Sequence, residues 1–126
     1  MIQFPESDWK LFREKLPSWQ EAYMERLCSE YAAMLSSDRT AGEKFWELTK
    51  RVDRDRKKTG VIAEMRRSQL VFNLVNLVGE GAIEMSDLKD FSEDLQTAVR
   101  MIGGFHEKRS KTGESDAGAS SGNSKV

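Results

Sequence analysis

The amino-acid sequence predicts an all-α protein: a compact bundle of four to five helices over residues 1–102, followed by a disordered tail over residues 103–126. Apolar residues recur at spacings of three and four along most of the chain, and no segment alternates cleanly enough to form a strand. The length of 126 residues suits one domain. The last 24 residues hold five glycines, five serines and few apolar side chains, which is typical of a segment that cannot build a core.

Two helices are predicted before residue 36. Ser7 is a suitable N-cap for the first, and Asp8 follows in the first turn, where a negative charge is favourable. Pro17 is expected to end this helix and to begin the next, because proline removes a helical hydrogen bond but suits a first turn. The second helix then runs to about Leu35. The apolar faces of the two helices contain Trp9, Phe12 and Leu16, and then Trp19, Tyr23, Leu27, Tyr31, Met34 and Leu35.

A third helix is predicted from Thr40, which forms a capping box with Glu43 after a polar break at residues 36–39. Phe45, Leu48 and Val52 make one apolar stripe on this helix, the side that an amphipathic helix turns toward a core. Thr59-Gly60 is expected to end it. The opposite side carries Lys50, Arg54, Lys57 and Lys58.

The fourth helix is expected to begin between Val61 and Ser68 and to reach Val78, and its apolar residues surround it almost completely. A helix that is apolar all round should be the most buried one. Gly79-Glu80-Gly81 supplies a left-handed residue to end it. The last helix is predicted from Ser86 to the Gly103-Gly104 break. It presents Leu88, Phe91, Leu95, Val99 and Ile102.

Overall charge and cysteine content indicate an ordinary intracellular protein. The formal net charge of −1 gives no global field toward nucleic acid or membrane. The longest strongly apolar stretch, Leu70 to Val78, is too short to span a bilayer, and no secretory leader is expected at the start of the chain. A single cysteine, Cys28, excludes an internal disulfide and fits a reducing compartment, so we expect a cytoplasmic location without membrane contact.

No constellation in the sequence predicts catalysis, a cofactor or a metal ion. His106 is the single histidine and lies beyond the double glycine, and Cys28 has no histidine in the folded part to act as its base. Asp87, Asp90 and Asp94 share a helix face, but carboxylates on one helix are more often a solvated face than a metal site. We therefore expect a protein that is not an enzyme.

Charge is unevenly distributed along the chain. Residues 44–67 carry nine basic and four acidic side chains, whereas the segments before and after them are acidic. Within this segment, residues 50–67 form the basic band. It predicts an alternative function as a nucleic-acid-associated accessory protein. Asp53 and Asp55 interrupt it, and no aromatic residues are interleaved to stack on bases. The residues that would contact phosphates are Arg51, Arg54, Lys57, Lys58, Arg66 and Arg67.

Large aromatic side chains are numerous for so short a chain. Most of them are expected in the core, but a partly exposed cluster would mark an interface, since aromatic rings dominate binding energies. The candidate partner-binding residues are Trp9, Trp19, Tyr23 and Trp46. We therefore expect a non-catalytic helical module for protein–protein interaction or regulation, which binds a protein partner or forms a homodimer.

Four phrases of the sequence together resemble a family of small, uncharacterised, helical bacterial proteins. They are Leu11–Glu21, Lys44–Leu48, Gly60-Val61 with Arg67-Ser68, and Asp87–Ser92. The resemblance covers roughly residues 8–102 and implies a bacterial helical protein, but it brings no activity, cofactor or catalytic residue. Some members carry the label "multidrug transporter", which this sequence does not support because it lacks a membrane-spanning stretch.

Overall fold

Helices and short helical turns build all of the regular structure in residues 4–105, the part of the chain that the computed structural model describes. No strand occurs in this range, which confirms the all-α fold class. The predicted tail from residue 106 onward, including His106, lies outside the described residues. The α-helices are α1 (Glu6–Leu35), α2 (Ala41–Asp55), α3 (Leu70–Gly79) and α4 (Glu93–Gly103), with 3₁₀ turns at Arg67–Gln69 and Met85–Leu88.

Helix α1 is one continuous helix of 30 residues, so the predicted break at Pro17 is wrong. Proline costs a helical hydrogen bond, but buried side chains lie on the same helix both before Pro17, at Leu16, and after it, at Tyr23. Packing on both sides therefore carries the helix through the proline. The predicted N-cap at Ser7 is also wrong, because α1 begins at Glu6 and follows Pro5, which has no capping side chain.

The hydrophobic core is formed by the first half of α1 together with α3, α4 and the segment that joins α3 to α4. Helix α3 turns Leu70, Leu74 and Leu77 inward, but its Phe72 is about half exposed. As predicted, α3 is the most buried of the four helices, with four of its ten residues buried, although the exposure of Phe72 shows that it is not covered on every side. The buried members of the core are Phe12, Leu16, Leu70, Leu74, Leu77, Ile83, Leu88, Phe91, Leu95 and Val99.

The last helix begins later than its sequence pattern predicts. Met85–Leu88 is a separate 3₁₀ turn, and α4 starts at Glu93, where the Ser92 hydroxyl accepts a hydrogen bond from the backbone N–H of Leu95. Ser86 is therefore not the N-cap. Leu88, Phe91, Leu95 and Val99 are buried as predicted, whereas Ile102 is exposed. The expected left-handed residue after α3 is confirmed at Gly81, and the predicted break after α4 also contains a left-handed residue, Gly104.

Helix α2 starts as predicted and ends early. The capping box is confirmed, since Thr40 Oγ1 accepts from the Glu43 N–H at 3.2 Å and Glu43 Oε1 accepts from the Thr40 N–H at 3.3 Å. The helix ends at Asp55, before the predicted stop at Thr59-Gly60. Lys57 and Lys58 thus belong to the following turn, and their predicted place on a face of this helix is wrong.

Helix α2 folds back along the second half of α1 to make a helical hairpin. The Tyr31 hydroxyl of α1 donates to Asp55 Oδ2 at the end of α2 at 2.6 Å, and Gln20 Nε2 donates to the Thr59 carbonyl just beyond at 3.0 Å. The end of α2 therefore lies beside the middle of α1. Among the described residues, the core cluster takes no side chain from α2. The hairpin thus stands apart from the core.

Candidate interaction surface

The apolar stripe of α2 is uncovered. Every residue from Ala41 to Asp55 is described, and within this range the one buried side chain is that of Asp55. Phe45 is 60% exposed, Trp46 is 68% exposed and Val52 is 39% exposed. The expectation that this stripe faces a core is therefore wrong.

The side of α2 that turns toward α1 is mainly polar. Its half-buried residues recur at spacings of three and four, so they share one helix face next to the stripe. They are Lys44, Glu47, Leu48 and Arg51, in line with the buried Asp55. Because α2 is held to α1 through this face, its apolar stripe points to one side, with Leu48 at the covered edge and Phe45 and Val52 in the open.

The exposed apolar side chains of the hairpin are grouped at its outer end and along α2, and we call them the hairpin patch. The rings of Phe45 and Trp46 meet edge to face with centroids 5.1 Å apart, so the two aromatic side chains form one unit. The patch consists of Leu35, Phe45, Trp46 and Val52.

The four aromatic residues predicted to bind a partner do not lie together. Trp9 is half-buried and stacks on Phe12, and Trp19 is half-buried against Phe91. Tyr23 is only 4% exposed. Of the four, Trp46 is the one whose ring is largely open to solvent. Phe45 lies beside Trp46 and forms an aromatic surface with it. Phe45 belongs to the stripe that was expected to face a core.

The inner end of the hairpin is fastened to the end of α3. Both oxygens of the Glu80 carboxylate accept backbone hydrogen bonds, from the Thr59 N–H at 2.9 Å and the Gly60 N–H at 3.0 Å. Arg26 Nη2 on α1 also donates to the Gly81 carbonyl at 2.7 Å. No spacing in the sequence signals that Glu80 reaches back some twenty residues to this turn. These contacts fix the direction in which the hairpin projects.

A buried carboxylate fastens α2 to α1. Arg54 and the Tyr31 hydroxyl both donate to Asp55, and these hydrogen bonds, led by that from Arg54, hold the pKa of Asp55 below its ordinary value although burial opposes them. Burial first, and then the hydrogen bond to Asp55, raises the pKa of Tyr31 to about 12. The Asp55 carboxylate is a structural link because both of its oxygens accept hydrogen bonds inside the hairpin.

Most of the predicted nucleic-acid-binding residues are already paired with acidic side chains. Arg51 binds Glu47 at 2.8 Å and Arg54 binds Asp55 at 2.9 Å. Arg66 pairs with Glu64, and Arg67 pairs with Glu6. Lys57 and Lys58 form no ion pair within residues 4–105. The free positive charge of the basic band is therefore concentrated in the turn after α2.

The acidic residues of the last third of the chain are separated by the fold. Asp87 Oδ2 accepts the Glu84 N–H at 2.8 Å, Asp90 lies 4.0 Å from Lys15 Nζ, and Asp94 is exposed in the first turn of α4. Within residues 4–105, no three His, Cys, Asp or Glu side chains are grouped so that they could hold a metal ion. Cys28 is exposed on α1.

None of the helices in residues 4–105 combines the length and the apolar character that a bilayer-crossing segment needs. Comparisons of the chain with protein-family models, with curated protein sequences and with solved structures find no match. The class of protein that fold and surface define is an all-α bundle with a projecting helical hairpin. Its functional interpretation depends on the geometry and chemistry of the hairpin patch.

Proposed function

We propose that this protein is a non-catalytic helical module for protein–protein interaction or regulation, and that it binds its partner through the hairpin patch. The observation that carries the proposal is that α2 buries no apolar side chain between Ala41 and Asp55, all of which are described, while Phe45 and Trp46 stand 60% and 68% exposed. An amphipathic helix ordinarily buries its apolar stripe, so an uncovered stripe indicates a missing partner surface.

The composition of the patch suits an interface. Trp and other large aromatic residues are enriched among the side chains that dominate binding energy, and burying one Phe side chain is worth roughly 1.5–3 kcal/mol. Charged residues surround the patch on α2, among them Glu43 and Lys50, as in the polar rim of a protein interface.

The hairpin is also held in place before any partner binds. Asp55 ties α2 to α1, and Glu80 ties the turn at Thr59 and Gly60 to the end of α3. A surface that is already fixed loses little conformational entropy on association. This arrangement supports binding through α2 rather than local folding around a ligand.

The proposal includes a cytoplasmic location, in which the exposed Cys28 stays reduced. Membership of the family of small helical bacterial proteins that the sequence resembles remains a prediction.

The alternative, binding of nucleic acid by the basic band, also remains a prediction. The pairing of Arg51, Arg54, Arg66 and Arg67 with carboxylates leaves Lys57 and Lys58 as its main support. Charge reversal of Lys57 and Lys58, which form no ion pair within residues 4–105, tests it, because phosphate binding would then weaken and lose part of its salt dependence. If neither duplex nor single strand binds the unaltered protein at low salt, this alternative is excluded.

A photo-crosslinking experiment tests the proposed function. A benzophenone amino acid replaces Trp46 in the full chain, and a matched variant carries it at the exposed Lys89, which follows the 3₁₀ turn Met85–Leu88 and is not part of the hairpin. Both are expressed at native level in the source cell and irradiated. We expect a discrete cross-linked product from position 46 and none from position 89. Equal labelling at both positions, or no product at position 46, would contradict an interaction through the hairpin patch.

A further inference from the structure

We propose that α2 has two settings on α1: in the open setting the hydrogen bond between Tyr31 and Asp55 holds its apolar stripe in solvent, and in the closed setting α2 has turned about its own axis and buried the stripe against α1. Closure withdraws Phe45 and Val52 from the hairpin patch. The proposal rests on the proposed function, because it describes how binding through that patch is regulated. It is carried by a mismatch between the two helix faces that meet in the hairpin.

The face of α1 that α2 covers is apolar. Tyr23, Leu27 and Met34 follow one another on one side of the second half of α1, and all three are buried. Among residues 4–105, they do not belong to the core cluster that α1 forms with α3 and α4. Helix α2 runs back along this row, as the hydrogen bonds from Tyr31 and Gln20 show. The row is therefore a second apolar surface, of the kind on which an amphipathic helix ordinarily lays its apolar stripe.

The face that α2 turns toward this row is mainly polar. Its half-buried residues include Glu47 and Arg51, in line with the buried Asp55. At about 100° per residue, the centre of this covered face and the centre of the apolar stripe are only about 80° apart around the helix. Leu48 lies between the two centres. A turn of less than one residue step therefore exchanges the two faces and keeps Leu48 next to α1.

One hydrogen bond distinguishes the open setting from the closed one. The Tyr31 hydroxyl donates to Asp55 Oδ2 at 2.6 Å, and within residues 4–105 this is the one hydrogen bond that joins a side chain of α1 to a side chain of α2. The capping box at Thr40 and the ion pair of Glu47 with Arg51 lie inside α2 and turn with it. Closure therefore breaks the bond to Tyr31 and leaves these contacts intact.

The ends of α2 can take up the rotation. Residues 36–39 form the turn before the helix, and residues 56–58 lie between its end and Thr59. Glu80 holds the backbone N–H groups of Thr59 and Gly60, which lie beyond the helix, so this fastening is kept in both settings. The two short turns absorb the change, and the hairpin stays attached to the end of α3.

Gains and losses on closure are of similar size. Burial of Phe45 and Val52 favours the closed setting. The hydrogen bond to the charged Asp55 carboxylate favours the open setting, because a bond to a charged group is stronger than one between neutral groups. Two packings of one chain that differ so little form a bistable element. A partner that binds only the exposed stripe then shifts the population to the open setting.

Fluorine NMR on the full chain measures which setting is occupied. A para-fluorophenylalanine replaces Phe45 alone, and a matched protein carries it in place of Phe72, which is similarly exposed but lies on α3. The difference in fluorine shift between light and heavy water is large for an exposed ring and small for a buried one. Tyr31→Phe removes the hydroxyl that donates to Asp55 and keeps the ring.

We expect Tyr31→Phe to lower the solvent isotope shift at position 45 to about half of its original value or less, because the population moves to the closed setting. Position 72 should not change, and circular dichroism should show the same helix content. Asp55→Ala removes the same bond from the side of α2 and should act in the same direction. An unchanged isotope shift at position 45 in both variants would overturn the proposal.

Thiol reactivity measures the opposite face of α2. In a Cys28→Ser background, Glu47→Cys places a thiol on the half-buried face and Lys50→Cys places one on the exposed side. Tyr31→Phe should raise the reaction rate at position 47 several-fold and leave that at position 50 unchanged, since rotation carries only position 47 into solvent. An isotope shift at position 45 that stays large while position 47 reacts faster would indicate detachment of α2, contrary to rotation.

The photo-crosslinker at position 46 separates this proposal from the proposed function. A cross-linked product in the protein with Tyr31, together with no response of position 45 to Tyr31→Phe, would overturn the rotation alone. A smaller isotope shift at position 45 in Tyr31→Phe, without any product at position 46, would overturn the proposed function and support the rotation. With both proposals correct, Tyr31→Phe lowers the yield of the product.

Discussion

Gly60 is a position at which the backbone lies directly against an aromatic ring. A Cβ atom there would overlap the ring carbons of Tyr23, whereas a Cβ at Gly42 would meet nothing within 4 Å. We predict that Gly60→Ala destabilises the fold by about 1–3 kcal/mol, because the buried Tyr23 ring has to move. Gly42→Ala should instead be neutral or stabilising by up to about 1 kcal/mol, since alanine favours a helix.

Urea denaturation followed by circular dichroism measures both alanine variants. Equal midpoints for Gly60→Ala and the unaltered protein would show that the turn and Tyr23 can separate at no cost. That result would contradict the close packing of the hairpin's inner end. Gly42→Ala controls for the general effect of replacing a glycine.

The two tyrosines of the chain report on the same end of the hairpin. Burial raises the pKa of Tyr23, helped by the negative charges of Glu80 and Asp55, and raises that of Tyr31 to about 12. Because the folded state favours the neutral phenol, this stabilisation is fully present below pH 10 and is lost as the pH rises through about 12. We predict that the tyrosinate absorbance of the native protein develops well above pH 10.

The control for this titration is the protein unfolded in urea, whose tyrosines should ionise near their ordinary value of 10.0. The variant Tyr23→Phe leaves Tyr31 as the one absorbing phenol and assigns the late step. Ionisation of Tyr31 at its ordinary pH in the folded protein would contradict both the burial of its hydroxyl and the hydrogen bond that it donates to Asp55.

Helix α4 depends on a side chain from the other end of the chain. Both carboxylate oxygens of the buried Asp8 accept hydrogen bonds from Ser92, one from its N–H at 2.9 Å and one from its hydroxyl at 2.6 Å. We predict that Asp8→Ala costs about 2–3 kcal/mol, because it leaves the donors of a half-buried cap without a partner. Hydrogen exchange should accelerate first at Leu95 and its neighbours.

Asp90→Ala is the matched control, because the Asp90 carboxylate is exposed and its one ion pair, to Lys15 Nζ, is long at 4.0 Å. Such a surface pair is worth well under about 1 kcal/mol. Asp8→Asn, which keeps one oxygen acceptor, should fall between the two. Equal unfolding free energies for Asp8→Ala and Asp90→Ala would contradict the role of Asp8 as the link between α1 and α4.

Elements set by neighbouring residues could be predicted from the sequence, and those set by distant contacts could not. The capping box at Thr40 and the left-handed residue at Gly81 are local, and both are present as predicted. The predicted start of the last helix at Ser86 was wrong because Asp8, which is remote in sequence, supports the cap at Ser92. The break at Pro17 was wrong because packing on both sides outweighs the lost hydrogen bond.

The same limit applies to the candidate site. Spacing alone shows that Phe45 and Val52 share a stripe, but it cannot show whether another helix covers that stripe. Three of the four predicted partner-binding aromatic residues lie against neighbouring side chains instead. The sequence could not show this, because a large ring favours burial in a core and binding at an interface equally. Trp46 can be told apart from Trp9 and Trp19 only once the direction of α2 is known.

The whole molecule has two parts that differ in how their structure is held. The core around Leu74, Leu95 and Val99 is closed by apolar packing, and these side chains are fully buried. The hairpin has fewer buried apolar side chains, Tyr23, Leu27 and Met34 of α1, and is also held by polar links such as those of Asp55 and Glu80. Local opening requires less free energy where few apolar contacts are broken. In the isolated chain, α2 should therefore open more readily than α3 or α4.

This difference gives a prediction about hydrogen exchange that depends on concentration. If the partner of the hairpin patch is a second copy, the homodimer that the sequence analysis leaves open, mass action protects α2 as the protein concentration rises, whereas α3 and α4 are already protected by the core of each chain. For that homodimer, we predict that dilution speeds exchange in residues 41–55 and leaves residues 70–79 unchanged. The variant Phe45→Ser, Trp46→Ser should show the fast exchange of α2 at every concentration. Protection of α2 that equals that of α3 and is independent of concentration would mean that the hairpin is closed within one chain, contrary to the exposed stripe from which the interface is inferred.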